Sequence, residues 1–254
     1  MKQSRSLKAV VTTVISVGAL CAGARLAEAG GYVQRNLVSD ISGLAAFTDP
    51  ALINPWGMSF SSSSPFWISN QGTSTTTLYK VTNGFDATKI TVLNPPTGNI
   101  GIPATSGGPQ GPTGQVFNGT SSFGGAPFIF ASLNGTISAW SGGASAAIQS
   151  PATTPGAVFS GLAINQAKTM LYAANDAGTG SIDVFNSSFA PTTTTGGFVD
   201  PNLPTGLVPF NVQDIGGKVY VTYAPAGRTN QANATAGWEW SMFTTKAETS
   251  CKGW

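Results

Sequence analysis

The stretch FSGLAINQAKTMLYAANDAGTGSIDVFN, Phe159 to Asn186, holds three short apolar runs cut apart by Asn, Gly and other turn formers. Leu162–Ile164, Met170–Ala174 and Ser181–Phe185 have the bulky and β-branched composition of strands. A glycine leads the first run, a small residue closes the second, and an aromatic residue closes the third.

The same grammar recurs on either side. NPWGMSFSSSSPFWISNQGTSTTTLYKV, from Asn54, predicts strands at Gly57–Phe60, Phe66–Ser69 and Thr77–Val81. GPTGQVFNGTSSFGGAPFIFASLNGTISAWS, from Gly111, predicts strands at Gly114–Phe117, Phe128–Ser132 and Thr136–Trp140. A fourth unit, PFNVQDIGGKVYVTYA from Pro209, predicts Asn211–Gln213 and Val219–Tyr223. The markers Gly57, Gly114, Gly161 and Asn211 lie 57, 47 and 50 residues apart. A period of about 50 with three or four strands per unit is the pattern of a β-propeller blade. A β-sandwich also has regularly spaced short strands. Recurrence in phase favours an all-β propeller with about four blades in this chain by the repeat rule. The long connections Pro95–Pro112 and Pro191–Leu207, rich in Pro, Gly and Thr, are expected to run between blades at the surface.

Composition bounds the setting. Only 9 % of the 254 residues are charged, while 41 % are hydrophobic, which suits a β-rich extracellular protein and not a disordered one. At the N-terminus, Lys2, Arg5 and Lys8 precede an apolar run from Ala9 to Ala24. Ala27-Glu28-Ala29 then supplies small residues for cleavage after Ala29, so 1–29 reads as a secretory signal peptide. The apolar run is shorter than the roughly 20 residues a membrane span needs, so no stable span is expected once the signal is removed. The predicted location is bacterial and extracellular or periplasmic.

Removing 1–29 takes four basic residues and Glu28, which turns the formal +2 of the whole chain into −1. With no basic cluster left, nucleic-acid binding is excluded. The chain contains no histidine, and Cys251 would be its single cysteine after Cys21 departs with the signal. Ser-His-Asp and Cys-His catalysis, His-ligated zinc and a disulfide framework are thereby excluded.

The C-terminal stretch GWEWSMFTTKAETSCKGW, from Gly237, breaks the composition. By analogy with GSIDVF in unit three, a strand such as G-x-[VI]-D-V-[FY] belongs there. Back-translated Trp-Glu-Trp-Ser-Met-Phe, read after dropping two bases, can encode GMVDVY. In it the Gly, the branched or Met residue after it and the second Val are fixed by the Trp and Met codons. The expectation is therefore a partial propeller over 30–237 and an out-of-frame tail over 238–254; the alternative is an idiosyncratic C-terminal segment. A chain stopping inside the fourth blade would leave two apolar blade faces uncovered.

YVQRNLVSDISGLAAFTDPALINPWGMSF, PTGQVFNGT, FIFASLNGTISAW, SIDVFNSSFAP and FVDPNLPTGLVPFNVQDIGGKVYVTYA occur in that order. They resemble a family of secreted bacterial NHL-like propeller proteins, some of which carry a PEP-CTERM sorting tail. The resemblance covers Tyr32 to about Gly237, and it implies a larger, six-bladed molecule. It implies no activity and supplies no functional residues.

Site candidates come from the chemistry of the channel mouth. Polar residues at the ends of second strands converge there: Ser69, Asn70, Ser132, Asn175, Asp176 and Thr222. Asn70, Asn175 and Asp176 are the ligand-binding candidates, because their oxygens suit calcium, a hard cation wanting six to eight oxygen ligands. Asn and Asp are also ordinary turn residues, and that reading carries the greater weight. Asp183 in SIDVF reads as a structural repeat position. Trp56, Trp67 and Trp140 read as inter-blade core before sugar platform. No catalytic or metal-ligating residue is assigned. Two function classes follow: a non-catalytic binding propeller for an extracellular ligand, protein or polysaccharide, or a calcium-dependent, lactonase-like hydrolase or lyase whose site needs further blades.

Overall fold

Each of the four marker residues sits in the first strand of an antiparallel meander. The structure, a computed structural model, describes residues 35–83, 86–90, 98–106 and 110–227, together with the backbone of 240–244 and 249–253. The secretory signal expected over 1–29 lies outside the described residues. Asn36–Trp254 form one compact unit.

A short parallel pair, β1 (Val38–Ser39) and β2 (Phe47–Thr48), precedes the first meander. That meander runs β3 (Pro55–Ser59), β4 (Phe66–Asn70), β5 (Thr75–Thr82) and β6 (Asp86–Ile90), with β7 (Ile100–Gly101) also paired to β5. The second is β8 (Pro112–Phe117), β9 (Phe128–Ser132), β10 (Ile137–Trp140) and β11 (Ala147–Ile148). The third is β12 (Phe159–Ile164), β13 (Met170–Asn175), β14 (Ser181–Asn186) and β15 (Pro191–Thr192). The fourth is β16 (Leu207–Ile215), β17 (Lys218–Pro225), β18 (Trp240–Thr244) and β19 (Thr249–Gly253). Among the described residues there is no α-helix, only three single turns of 3₁₀-helix.

The first strand of each sheet abuts the first strand of the next: β3 on β8, β8 on β12, β12 on β16. These are the inner strands of four propeller blades, and the glycines explain their spacing. A Cβ on Gly57 would overlap the Thr113 carbonyl oxygen and lie 3.2 Å from the Gln115 nitrogen. On Gly114 it would overlap the Leu162 nitrogen and lie 2.8 Å from the Leu162 Cβ. On Gly161 it would overlap the Asn211 side chain and lie 2.9 Å from the Asn211 Cα. Backbone meets backbone at this position, so no side chain fits. Each inner strand also carries a register shift there, between Pro55/Met58, Pro112/Gln115, Phe159/Gly161 and Pro209/Asn211. An extra residue on one strand bends it and increases its twist, which turns each blade relative to its partner.

Side chains fill the wedges between blades. Trp67 of β4 stacks on Phe128 of β9 with ring centroids 3.9 Å apart, and meets Trp140 edge-on at 4.9 Å. Phe159 and Phe185, both buried, lie in the cluster that joins the second and third blades with Ile129, Ile137 and Leu171. Tyr172 and Val184 of the third blade pack with Val212, Val221 and Tyr223 of the fourth. Gln115 ties the first two blades by hydrogen bonds: its amide donates to the carbonyls of Gly57 at 2.7 Å and Trp67 at 2.9 Å.

Two expectations need correction, at the Pro95–Pro112 connection and on the far face of the fourth blade. The Pro95–Pro112 connection does not stay at the surface, because Ile100 and Ile102 are fully buried beside Trp67 and Leu78. Its apolar pair joins the core, with Ile100 paired to Thr76 on β5. The third strand of the fourth blade is occupied, since β18 pairs with β17 from Val219↔Thr244 to Tyr223↔Trp240. Strand pairing uses backbone groups that every non-proline residue carries, so these residues can take that position without the expected side chains. The far face of the fourth inner hairpin is polar where described, with Asn211, Gln213 and Thr222 exposed. Exposed apolar residues sit instead on the first blade, at Met58 and Phe60.

Candidate functional site

All four inner strands contribute to one central cavity of about 430 Å³. Its lining runs along those strands, from Trp56, Gly114, Ser160 and Asn211 to Phe60, Phe117, Ile164 and Asp214. The walls are uneven. The first blade presents Trp56, Met58 and Phe60, while the third and fourth present Lys168, Asn211, Gln213 and Asp214.

Lys168 is the cavity's cation. It stands in the β12–β13 turn with φ of 54°, a left-handed conformation that a lysine adopts only when its surroundings hold it there. Asn165 does the holding: its carbonyl accepts the Lys168 N–H, and its Oδ1 accepts the N–H groups of Thr169 and Met170 at 2.8 and 3.0 Å. Partial burial lowers the Lys168 pKa, and the Asp214 carboxylate offsets part of that effect. Asp214 Oδ1 accepts the Gly217 N–H at 3.1 Å, which fixes the carboxylate. Lys168 and Asp214 feel each other electrostatically without forming an ion pair. Burial, and then Asp214, raise the pKa of the neighbouring Tyr172.

The sequence candidates lie at the N-terminal ends of the inner strands. Asn70 pairs with Pro55, the first residue of β3, and Asn175 pairs with Phe159, the first residue of β12. The Asn70 amide donates to the hydroxyls of Thr75 and Thr77 at 3.2 and 3.0 Å, while its buried Oδ1 has no protein partner. Asn175 Oδ1 accepts from the N–H groups of Val158 and Ala177, and its amide donates to Asp183 at 3.3 Å. The Asp176 N–H donates to the Val158 carbonyl at 2.9 Å. None of the three lines the central cavity. Asp183 accepts from Ser181 on its own strand and from Asn175 across the hairpin. Trp67 and Trp140 are inter-blade packing, and the ring of Trp56 lies 6.1 Å from that of Phe210 on the fourth inner strand.

Sequence reasoning passed over Lys168 and Asp214 because each reads as an ordinary hairpin residue. What brings them together is the contact of β12 with β16, and no local pattern shows that. A larger groove, about 810 Å³, runs between the second and third blades over Phe123 and Phe189, and no charged residue lines it. Among the described residues no group of three or more Asp, Glu or Cys could hold a metal ion. No helix among them is long and apolar enough to cross a membrane.

The four meanders around a shared central cavity define a β-propeller. The sequence matches no family model and no curated protein. In shape the chain is similar to a chain of the structure "COPII on membranes, outer coat vertex", with a TM-score of 0.51 at 10 % identity, over 78 % of this chain and 49 % of that one. A chain of "The structure of the COPII coat assembled on membranes" gives the same TM-score and identity, over 78 % of this chain and 27 % of that one. This protein thus spans about half the length of the first and about a quarter of the second. The C-terminal WD40 domain of Sif2 aligns over 87 % of this chain at 12 % identity, with a TM-score of 0.42. At such identities the likeness concerns the fold alone.

Proposed function

We propose that the protein is a secreted, non-catalytic binding propeller that holds an extracellular ligand at the central cavity. The observation that carries this reading is the character of the cavity wall. Amides, an ammonium, a carboxylate and exposed apolar side chains face one opening, and that mixture suits recognition. Acid–base chemistry at neutral pH would call for titratable groups poised near that pH, and the histidine-free sequence supplies no imidazole.

The test is a binding screen of extracellular polysaccharides, peptides and amino acids by thermal melt and calorimetry, repeated on Gln213→Trp, which puts a bulky side chain on the cavity lining. A ligand that binds the natural chain, is lost in the variant and is recovered chemically unchanged supports the reading. A ligand that is turned over, or that binds the blocked variant equally well, overturns it.

A second reading, a calcium-dependent hydrolase, has one observation in its favour: the unpartnered Asn70 Oδ1, an oxygen of the type calcium takes. A calcium titration followed by thermal melting separates the two, because a bound cation raises the melting temperature by mass action. No shift sinks the calcium reading.

A further inference from the structure

We infer that the central cavity takes a small zwitterion with an apolar body, the chemistry of a free α-amino acid with an apolar side chain. The inference rests on the binding reading above and names the ligand class for it.

Three features of the wall converge on this chemistry. The first is the separated charge pair. Lys168 is drawn partly out of water in a clasped left-handed turn, yet it makes no ion pair or hydrogen bond with its side chain. Asp214 is fixed through one oxygen by Gly217 N–H, and the other oxygen has no partner. A ligand with a carboxylate for Lys168 and an ammonium for Asp214 completes both. A purely anionic or purely cationic ligand satisfies one of the two and meets a like charge beside it.

The second feature is the opposing wall. Met58 and Phe60 are 60 % and 55 % exposed on an inner strand. The positions equivalent to Met58 on the third and fourth inner strands, Leu162 and Val212, are buried. Phe60 is held against Phe66 with ring centroids 5.1 Å apart, so it forms a stable apolar surface. Apolar groups on one wall and a charge pair on the other match the two ends of an apolar amino acid.

The third feature is size and completion. The cavity, at about 430 Å³, lies in the ordinary range for small-ligand sites and exceeds the volume of such an amino acid. Asn211 and Gln213 add amides to the lining on the fourth blade. The larger groove between the second and third blades has no charged group, so it offers no comparable match.

The test is calorimetric titration with L-phenylalanine and L-leucine, alongside N-acetyl-L-phenylalanine, which lacks the ammonium, and phenethylamine, which lacks the carboxylate. Both amino acids should bind, and either half-ligand should bind about tenfold or more weakly, the size expected for one charge-assisted hydrogen bond. Lys168→Met and Asp214→Asn should each weaken L-phenylalanine by a similar factor, while Lys168→Arg keeps part of the affinity. Circular dichroism melts confirm that the variants fold. No binding of either amino acid at millimolar concentration, or equal binding of N-acetyl-L-phenylalanine, overturns the inference. If a peptide or polysaccharide binds and is lost in Gln213→Trp while amino acids do not bind, the binding reading stands and the zwitterion falls. If nothing binds at the cavity, both fall.

Discussion

A Cβ on Gly114 would overlap the backbone nitrogen of Leu162, the residue after the matching glycine of the next blade. The contact is backbone to backbone, so neither partner can swing aside. Gly114→Ala and Gly161→Ala should each cost about 1–3 kcal/mol, as overpacking does in a close-packed interior. For a chain of this size that corresponds to a fall in melting temperature of roughly 2–12 °C. Gly101→Ala provides the comparison: its new methyl would lie 2.9 Å from the Ser145 hydroxyl, which can rotate away. Thermal melts should rank Gly101→Ala as the mildest of the three. Equal melting temperatures for all three variants would show that the inner strands are not held by this contact.

The wedge between the first two blades depends on Trp67. Its ring is buried, stacks on Phe128 and meets Trp140 edge-on. Trp67→Ala should cost about 3–5 kcal/mol, the range for deleting a large buried aromatic side chain. Trp67→Phe should cost less, because the buried Trp67 Nε1 has no hydrogen-bond partner to lose. Urea unfolding of both variants checks the order.

These two regions show what the sequence makes legible. The glycine markers Gly57, Gly114 and Gly161 carry the fold because their reason is repeated: one close approach to the next blade, once per period. Every strand expected from the apolar runs is present, most extended by one to four residues. The outer strands β6, β11 and β15 escaped the reading. Two of them are only two residues long, and Ala147–Ile148 is exposed on both residues, so no alternation marks them. The cavity was harder still. Asn70, Asn175 and Asp176 stood out because strand ends are visible in sequence, while Lys168 and Asp214 meet only through the packing of β12 on β16.

Asn175 closes its turn with four bonds, accepting from Val158 and Ala177 and donating to Ser181 and Asp183. Asn175→Ala strands the partly buried Val158 N–H and should cost about 1–3 kcal/mol. Asn175→Asp keeps the accepting oxygen but sets a second carboxylate against Asp183, so it should also destabilise, and should recover as added salt screens the repulsion. Melting temperatures measured against salt concentration distinguish the two variants. A salt response as large in the alanine variant as in the aspartate would argue against the repulsion.

Asp49 anchors the segment before the first blade. Its carboxylate, 2 % exposed, pairs with Lys89 at 2.8 Å and accepts the Tyr79 hydroxyl at 2.7 Å and the Ala51 N–H at 3.0 Å. Burial pushes its pKa up, but the bonds from Lys89, Tyr79 and Ala51 outweigh burial and hold it below the ordinary 3.8. A carboxyl with a depressed folded pKa contributes stability that is present above its unfolded pKa and lost as pH falls through the folded one. The advantage of the natural chain over Asp49→Asn should therefore be constant at neutral pH and shrink below about 3.8. Tyr79 gives the opposite flank: burial and then Asp49 raise its phenol far above the ordinary 10.0. Its contribution is intact below 10.0 and is lost as pH climbs toward the raised value, so the gap to Tyr79→Phe should narrow only in strong alkali. Lys89→Met leaves the Asp49 charge buried without its cation and should cost about 3 kcal/mol at neutral pH. Urea unfolding across the acid and alkaline ranges reads all three variants. An Asp49→Asn difference that grows with falling pH would reverse the assignment of the carboxylate as the ionised partner.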